Sequence, residues 1–278
     1  MSYKTISVYL AQRESVESTM GVAIPLAEAF EAHLCGFHVA SAEPMTTTIS
    51  AQVPPKVVQQ YLDLMLEDAR AIAAGFAQSA KGSSAASEWC GDDEPFSDTG
   101  LLQTITDQAR CADLVVMGQT HSEQRVGDLA ADIILGAGRP VLIVPEQGKF
   151  GAISGTVVVG WDGSRESARA AFDALPFLKR ADAVKIVTVG KDAVAKAIPS
   201  DGSELAKALS RHGVKAEVVA LKDDDTSAGE ALLAYTSDQD ADLLVMGCYS
   251  HSRLRELLFG GATRHVLKEM ITPTLMSN

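Results

Sequence analysis

Two rhythms alternate along the chain. Short, nearly continuous apolar runs such as Leu243-Leu244-Val245-Met246 read as strands covered on both faces. Between them lie longer segments whose apolar positions recur at helical spacing. In the first half this pattern predicts strand 5–10, helix 15–31, strand 33–40, helix 56–80, strand 87–90, helix 99–110, strand 113–118, helix 125–135 and strand 140–144. In the second half it predicts strand 156–161, helix 166–177, strand 184–189, helix 203–212, strand 216–221, helix 228–237 and strand 241–247. A charged, helix-compatible piece at 253–259, a helix at 262–270 and a strand at 273–276 complete it. Strict alternation of strand and helix with right-handed crossovers gives an α/β fold, a doubly wound parallel sheet in each half. Ligands of such sheets bind outside the carboxyl ends of the strands where strand order reverses, which singles out the first and fourth strands.

The two halves are copies. Ala112 to Gly118, ADLVVMG, nearly duplicates Ala241 to Gly247, ADLLVMG, and a His-Ser pair follows each (His121-Ser122 and His251-Ser252). Each copy ends in a proline-led apolar strand, Pro140 to Pro145 and Pro273 to Met276, and Ile6 to Leu10 aligns with Val157 to Trp161. A period this long is a duplicated domain rather than a solenoid repeat, whose unit would be about 20–50 residues. The predicted domains are therefore 1–147 and 154–278, joined by a linker that contains Gly148 and Gly151. An apolar edge such as Val141 to Val144 would template aggregation unless paired. Pairing it with its duplicate predicts an intrachain pseudo-dimer, and the leading prolines, at first strand positions, cost the ladder nothing.

Chemistry concentrates at 241–276. Gly247 lets the chain turn off the carboxyl end of its strand, Gly260-Gly261 interrupts the pattern, and a fresh helix begins at Ala262. Unpaired amides and a positive dipole at a helix start suit an anion, above all a phosphate. Arg253, Arg255, Arg264 and Lys268 outnumber Glu256 and Glu269 there, in a chain whose net charge is -12. A locally basic loop in an acidic protein favours a small anionic ligand and argues against a nucleic acid, which needs a broader basic surface.

With 46% hydrophobic residues, both halves can build full cores. The apolar runs are shorter than the ~18–20 residues of a membrane span, and the N-terminal stretch lacks the apolar core of a signal peptide. The expectation is a cytoplasmic protein without a membrane partner. Cys35, Cys90, Cys111 and Cys248 have no C-x-x-C spacing, so reduced, buried thiols are expected rather than disulfides. His33, Cys35 and His38 suggest metal ligands, but strand alternation puts 33 and 35 on one face and 38 on the other, so no metal site is expected.

The first strand of the second half ends in Val159-Gly160-Trp161-Asp162-Gly163-Ser164, the second in Thr188-Val189, and the fourth-strand loop is close to a G-x2-G-x9-G-(S/T) pattern. In these features the second half resembles the universal stress protein family, whose nucleotide motif has that spacing. Because the likeness extends to both halves, the chain is similar to a tandem universal stress protein. The resemblance implies ATP or AMP as ligand, with or without Mg2+. Adenosine would be held by Asp162 and the backbone at Val189, and the phosphates by Gly247, Ser250, Gly260, Gly261, Ala262 and Thr263. Ser250 stands where the motif has its second glycine, and Gly261 where it has Ser or Thr, which removes one hydroxyl donor; the amides at 261–263 survive both changes.

Competing readings of the same residues are local. Asp162-Gly163-Ser164 also reads as a turn and helix cap, and Gly260-Gly261 as a site of close packing. The first half departs further: Ala11 and Gln12 occupy the aspartate position, and the loop from Gln119 to Gly127 has lost the spaced glycines and the basic character. That half suits scaffolding, dimerisation or another ligand, and a homodimer beyond the pseudo-dimer is open to it. The favoured function is a stress-response regulator that binds an adenine nucleotide in its C-terminal half; the alternative is a nucleotide-independent interaction module. An enzyme is not expected, since there is no G-x4-G-K-(S/T) loop and no recognisable base or metal carboxylate pair in the phosphate loop.

Overall fold

The computed structural model describes residues 2–39, 54–91, 100–120, 129–190, 201–222, 226–248 and 261–278. The first half runs β1 (Thr5–Tyr9), α1 (Val16–Phe30), β2 (His33–Phe37), α2 (Pro55–Ala80), β3 (Ser87–Trp89), α3 (Leu101–Arg110), β4 (Leu114–Gly118), α4 (Leu129–Ala137) and β5 (Val141–Val144). The second runs β6 (Thr156–Gly160), α5 (Arg165–Asp173), α6 (Leu175–Leu178), β7 (Ala183–Val189), α7 (Ser203–Arg211), β8 (Ala216–Leu221), α8 (Ala228–Asp238), β9 (Leu243–Gly247), α9 (Ala262–Glu269) and β10 (Thr274–Ser277). The proposed piece at 253–259 lies outside the described residues.

All ten strands form one sheet in the order β3-β2-β1-β4-β5-β10-β9-β6-β7-β8. Each half contributes five strands in the same relative order, and strand order reverses between β1 and β4 and between β6 and β9. Neighbours are parallel throughout except at the centre, where β5 and β10 run antiparallel with Ile143 opposite Thr274 and Leu142 opposite Leu275. The predicted pseudo-dimer through the fifth strands is therefore the architecture found. Duplication explains the antiparallel seam, since a twofold-related pair of identical edges must meet in opposite directions.

The central strands are uniformly apolar because helices cover both faces. Val8, Val116, Val157, Val159 and Val245 enter one core layer with α1, α5 and Phe177. Val115, Met117, Ile143, Val158 and Leu244 enter the other with Ile133 and Leu267. The joint is tied beyond the ladder. Tyr3 donates its hydroxyl to Asp173 O at 2.6 Å and packs its ring against Phe30 and Phe177, one from each half. Burial first, then Asp173 and Asp113, raises the Tyr3 phenol well above its ordinary pKa, so it stays a donor.

Three expectations need correction. The helix foreseen at 166–177 is two, because Pro176 lacks an amide proton and the first helix stops at Asp173 before a short second one opens. Cys35 and Cys90 form a disulfide rather than reduced thiols, and Cys111 is exposed rather than buried. Their separation of 55 residues is closed by the parallel crossover through α2, which lays β3 beside β2. Gly247 does not use a turn conformation that needs glycine; its φ is not positive, and its role, given below, is steric. No helix among the described residues is long and apolar enough to cross a membrane.

Candidate functional site

In the second half strand order reverses between β6 and β9, the place where a doubly wound sheet forms its crevice at the carboxyl ends of the strands. After β6 the chain passes through Trp161 and turns at Asp162, whose Oδ1 accepts the Ser164 amide at 2.9 Å, with Gly163 at φ 78° completing the turn. Ser164 then caps α5, its Oγ accepting the Ser167 amide at 3.1 Å. The turn and cap reading of Asp162-Gly163-Ser164 is thus realised; Asp162 is exposed at the lip of the crevice.

Gly247 ends β9 beneath the first turn of α5. A side-chain carbon there would stand 2.5 Å from the Ser167 nitrogen and 2.6 Å from the Glu166 carbonyl carbon, so only glycine allows the helix start to lie on the strand end. The same contact buries Glu166, 3% exposed, whose Oε1 pairs with Arg165 Nε. A buried carboxylate is tolerated because that guanidinium, largely in solvent, and the positive end of α5 both offset its charge. Sequence reasoning missed Glu166, which reads as an ordinary exposed acid in a first helical turn.

Val189 closes β7. The ladder alternates, with Trp161 N donating to Val187 O on the β6 side and Gly190 N donating to Leu221 O on the β8 side. Alternation turns the N–H and C=O of Val189 toward β6, beyond the point where that strand has ended. Two enclosed donors lie at the same strand ends, Trp161 Nε1 and Thr188 Oγ1, and neither has a hydrogen-bond partner among the described residues. Neither was singled out as a donor from the sequence. Their signal was a tryptophan just after β6 and a threonine one residue before the end of the adjacent β7.

On the other side of the crevice α9 begins at Gly261, which sits at φ -66° and ψ 147° and offers no side-chain cap. Ala262 is pressed against α8, since a side-chain carbon at Gly229 would meet its carbonyl oxygen at 2.8 Å, and Thr263 is buried. This packing fixes the direction of the first-turn amides. Of the basic residues foreseen here, Lys268 pairs with Glu269 at 3.0 Å on the surface. Ser250 and Gly260 lie outside the described residues, as do Arg253 and Arg255. The structure thus assembles Asp162, Val189, Gly247, Gly261, Ala262 and Thr263 from β6, β7, β9 and α9 around the carboxyl ends of the strands.

In the first half the residue after β4, the counterpart of Cys248, ties the two halves together. Gln119, after β4, donates through Nε2 to Leu267 O at 2.9 Å and Lys268 O at 3.1 Å, and accepts the Glu146 amide at 3.2 Å. It fastens one half to the end of α9 in the other. Gly118, like Gly247, seats the first helix of its half, with Ser15 and Thr19 against it.

Fold and crevice together define a tandem, doubly wound α/β protein with its two halves joined edge to edge. Residues 154–277, which make up the second half, match the model of the universal stress protein family. A universal stress protein of Synechocystis is 33% identical over 186 residues, which cover 63% of this chain and 61% of that relative's length. A universal stress protein from Archaeoglobus fulgidus superimposes with a TM-score of 0.70 at 16% identity, covering 98% of this chain and 96% of that one. A protein of unknown function from Pseudomonas aeruginosa does so with a TM-score of 0.50 at 13% identity, covering 99% and 92%. At such identities these two structures speak for the fold alone.

Proposed function

We propose that the second half binds one adenine nucleotide, ATP or AMP, and that occupancy rather than turnover carries the signal of this stress-response protein. The observation that carries the reading is the pair of enclosed donors, Trp161 Nε1 and Thr188 Oγ1, at the ends of β6 and β7. Buried polar groups are ordinarily hydrogen-bonded, and a missing partner of a few kcal/mol is what a bound ligand supplies. With Val189 turned toward the same gap, this side suits the heteroatom-rich base and ribose. The start of α9, with no side chain capping it, suits the phosphates. Mg2+ could accompany them; no described carboxylate is assigned to it.

The rival reading is an interaction module that needs no nucleotide. It is favoured by Asp162 and Gly247 each having a structural task, the one in a turn and the other under α5. Equilibrium dialysis decides between them. Binding should saturate near one ATP or AMP per chain and be lost when Asp162→Ala is combined with Gly261→Glu, which sets a carboxylate at the anion end. In the same samples hydrolysis should stay well below ~1 s⁻¹, the lower end of ordinary enzyme turnover. Two equivalent sites, or saturation that survives the double variant, would overturn the proposal.

A further inference from the structure

At the outer edge of the first half, far in the strand order from the crevice, β2 and β3 bring four metal-ligating side chains to one face of the sheet. Alternation sets His33 and Cys35 on one side of β2, register places Glu88 opposite Cys35, and Cys90 follows Glu88 by two. This face is the one on which Phe37 is buried and against which Cys90 packs. Cys35 Sγ, Cys90 Sγ and a Glu88 carboxylate oxygen all lie within 4.8 Å of one another. His33 Nε2 is 3.0 Å from Glu88 Oε1, yet it is enclosed and makes no hydrogen bond. The sequence pattern paired His33 and Cys35 with His38, which instead contacts Leu10 O at 2.7 Å through Nδ1. The missing partners come from β3.

We propose that in the reduced protein Cys35, Cys90, Glu88 and His33 bind one zinc ion, and that the disulfide is the metal-free, oxidised form of the same site. A disulfide is neutral and has no use for a carboxylate and an imidazole beside it. Two thiolates next to a carboxylate, by contrast, concentrate negative charge that a divalent cation neutralises. Two sulfurs and one oxygen already lie together, and the imidazole of His33, beside Glu88, turns in to complete a donor set for tetrahedral zinc. Zinc–sulfur bonds of about 2.3 Å hold two sulfurs about 3.8 Å apart. With the two Cα atoms 5.9 Å apart, side-chain rotation is enough to open that gap once the bridge is reduced. The His33 and Glu88 side chains are 41% and 61% exposed, which gives an ion a way in. Oxidation by hydrogen peroxide balances directly. The two thiolates give two electrons to the O–O bond, which breaks; the S–S bond forms; two protons from solvent complete two waters; and zinc leaves as the divalent ion.

The test uses the full chain, reduced and stripped of metal, with cobalt(II) as the spectroscopic probe and zinc as its competitor. The expected result is one cobalt per chain with thiolate-to-cobalt charge-transfer bands, displaced by zinc and abolished by one equivalent of peroxide. Cys90→Ser should remove the bands, His33→Ala should weaken binding, and Cys111→Ser should leave both unchanged. The peroxide arm uses unmodified protein, so it decides even if a variant folds poorly. Binding no stronger in the reduced than in the oxidised protein would overturn the proposal. So would bands that persist when Cys35 and Cys90 are both serine, since they would then belong to Cys111 or Cys248.

Discussion

At Gly247 a single hydrogen atom decides how a helix meets a strand. Any side-chain carbon would push on the backbone of Glu166 and Ser167, which cannot rotate away. Gly247→Ala should therefore cost at least the 1–3 kcal/mol typical of overpacking, measured as a lower urea midpoint with unchanged slope. At Gly118 the nearest neighbours are the side chains of Ser15 and Thr19 at 3.2 Å, so Gly118→Ala should cost less. A smaller loss at 247 than at 118 would show that α5 can lift off its strand. The duplicated ADLVVMG and ADLLVMG runs made these glycines conspicuous in the sequence, but their cause was not legible there. Periodicity tells where a strand ends and says nothing of the backbone that crosses it from another element. Burial of Glu166 was hidden for the same reason, whereas the Asp162 turn and the Ser164 cap are local and could be read directly.

Among the elements, β3 is the most weakly held by its own ladder, with three residues paired only to β2 at the sheet edge. An edge that short, carrying Glu88, resists templating other strands. What holds it is Trp89 against Phe76 and the bridge from Cys35 to Cys90. Closing a loop of 55 residues restricts the unfolded chain by about 2–4 kcal/mol. Under oxidising, metal-free conditions Cys35→Ser should lower stability by roughly that amount. Hydrogen exchange should localise the loss to amides 87–90 before β1 or β4. Equal exchange in variant and oxidised parent would mean the bridge contributes nothing to holding the edge. Sequence reasoning placed β2, α2 and β3 within a few residues, yet it misjudged the cysteines. Spacing along the chain reveals pairs inside a turn or loop, and a partner brought alongside by a parallel crossover leaves no such mark.

For the whole molecule, the seam between β5 and β10 converts two five-stranded sheets into one. It was legible because an apolar fifth strand in each copy had to be covered, and duplication supplied the cover. Contacts such as Gln119 to Leu267 and Tyr3 to Asp173 were not, since they join residues with no pattern in common. Both lie beside the seam and hold it from its two faces, together with Arg180, which donates to Ala29 O and stacks over Phe30. The halves should therefore separate at the seam only when its apolar layer is breached. Ile143 is fully buried there, opposite Thr274 in the register. Ile143→Lys would force an ammonium into a layer shared with Met117 and Met276. Burying an unpaired charge should cost roughly 3 kcal/mol or more. The cost should fall on the joint, because strands β1, β4, β6 and β9 keep parallel neighbours within their own halves. Amides 141–144 and 274–277 should accordingly lose protection from hydrogen exchange before those of 6–9 or 157–159. Simultaneous loss across all four regions would show instead that the halves fold as one cooperative unit whose sheets cannot stand apart.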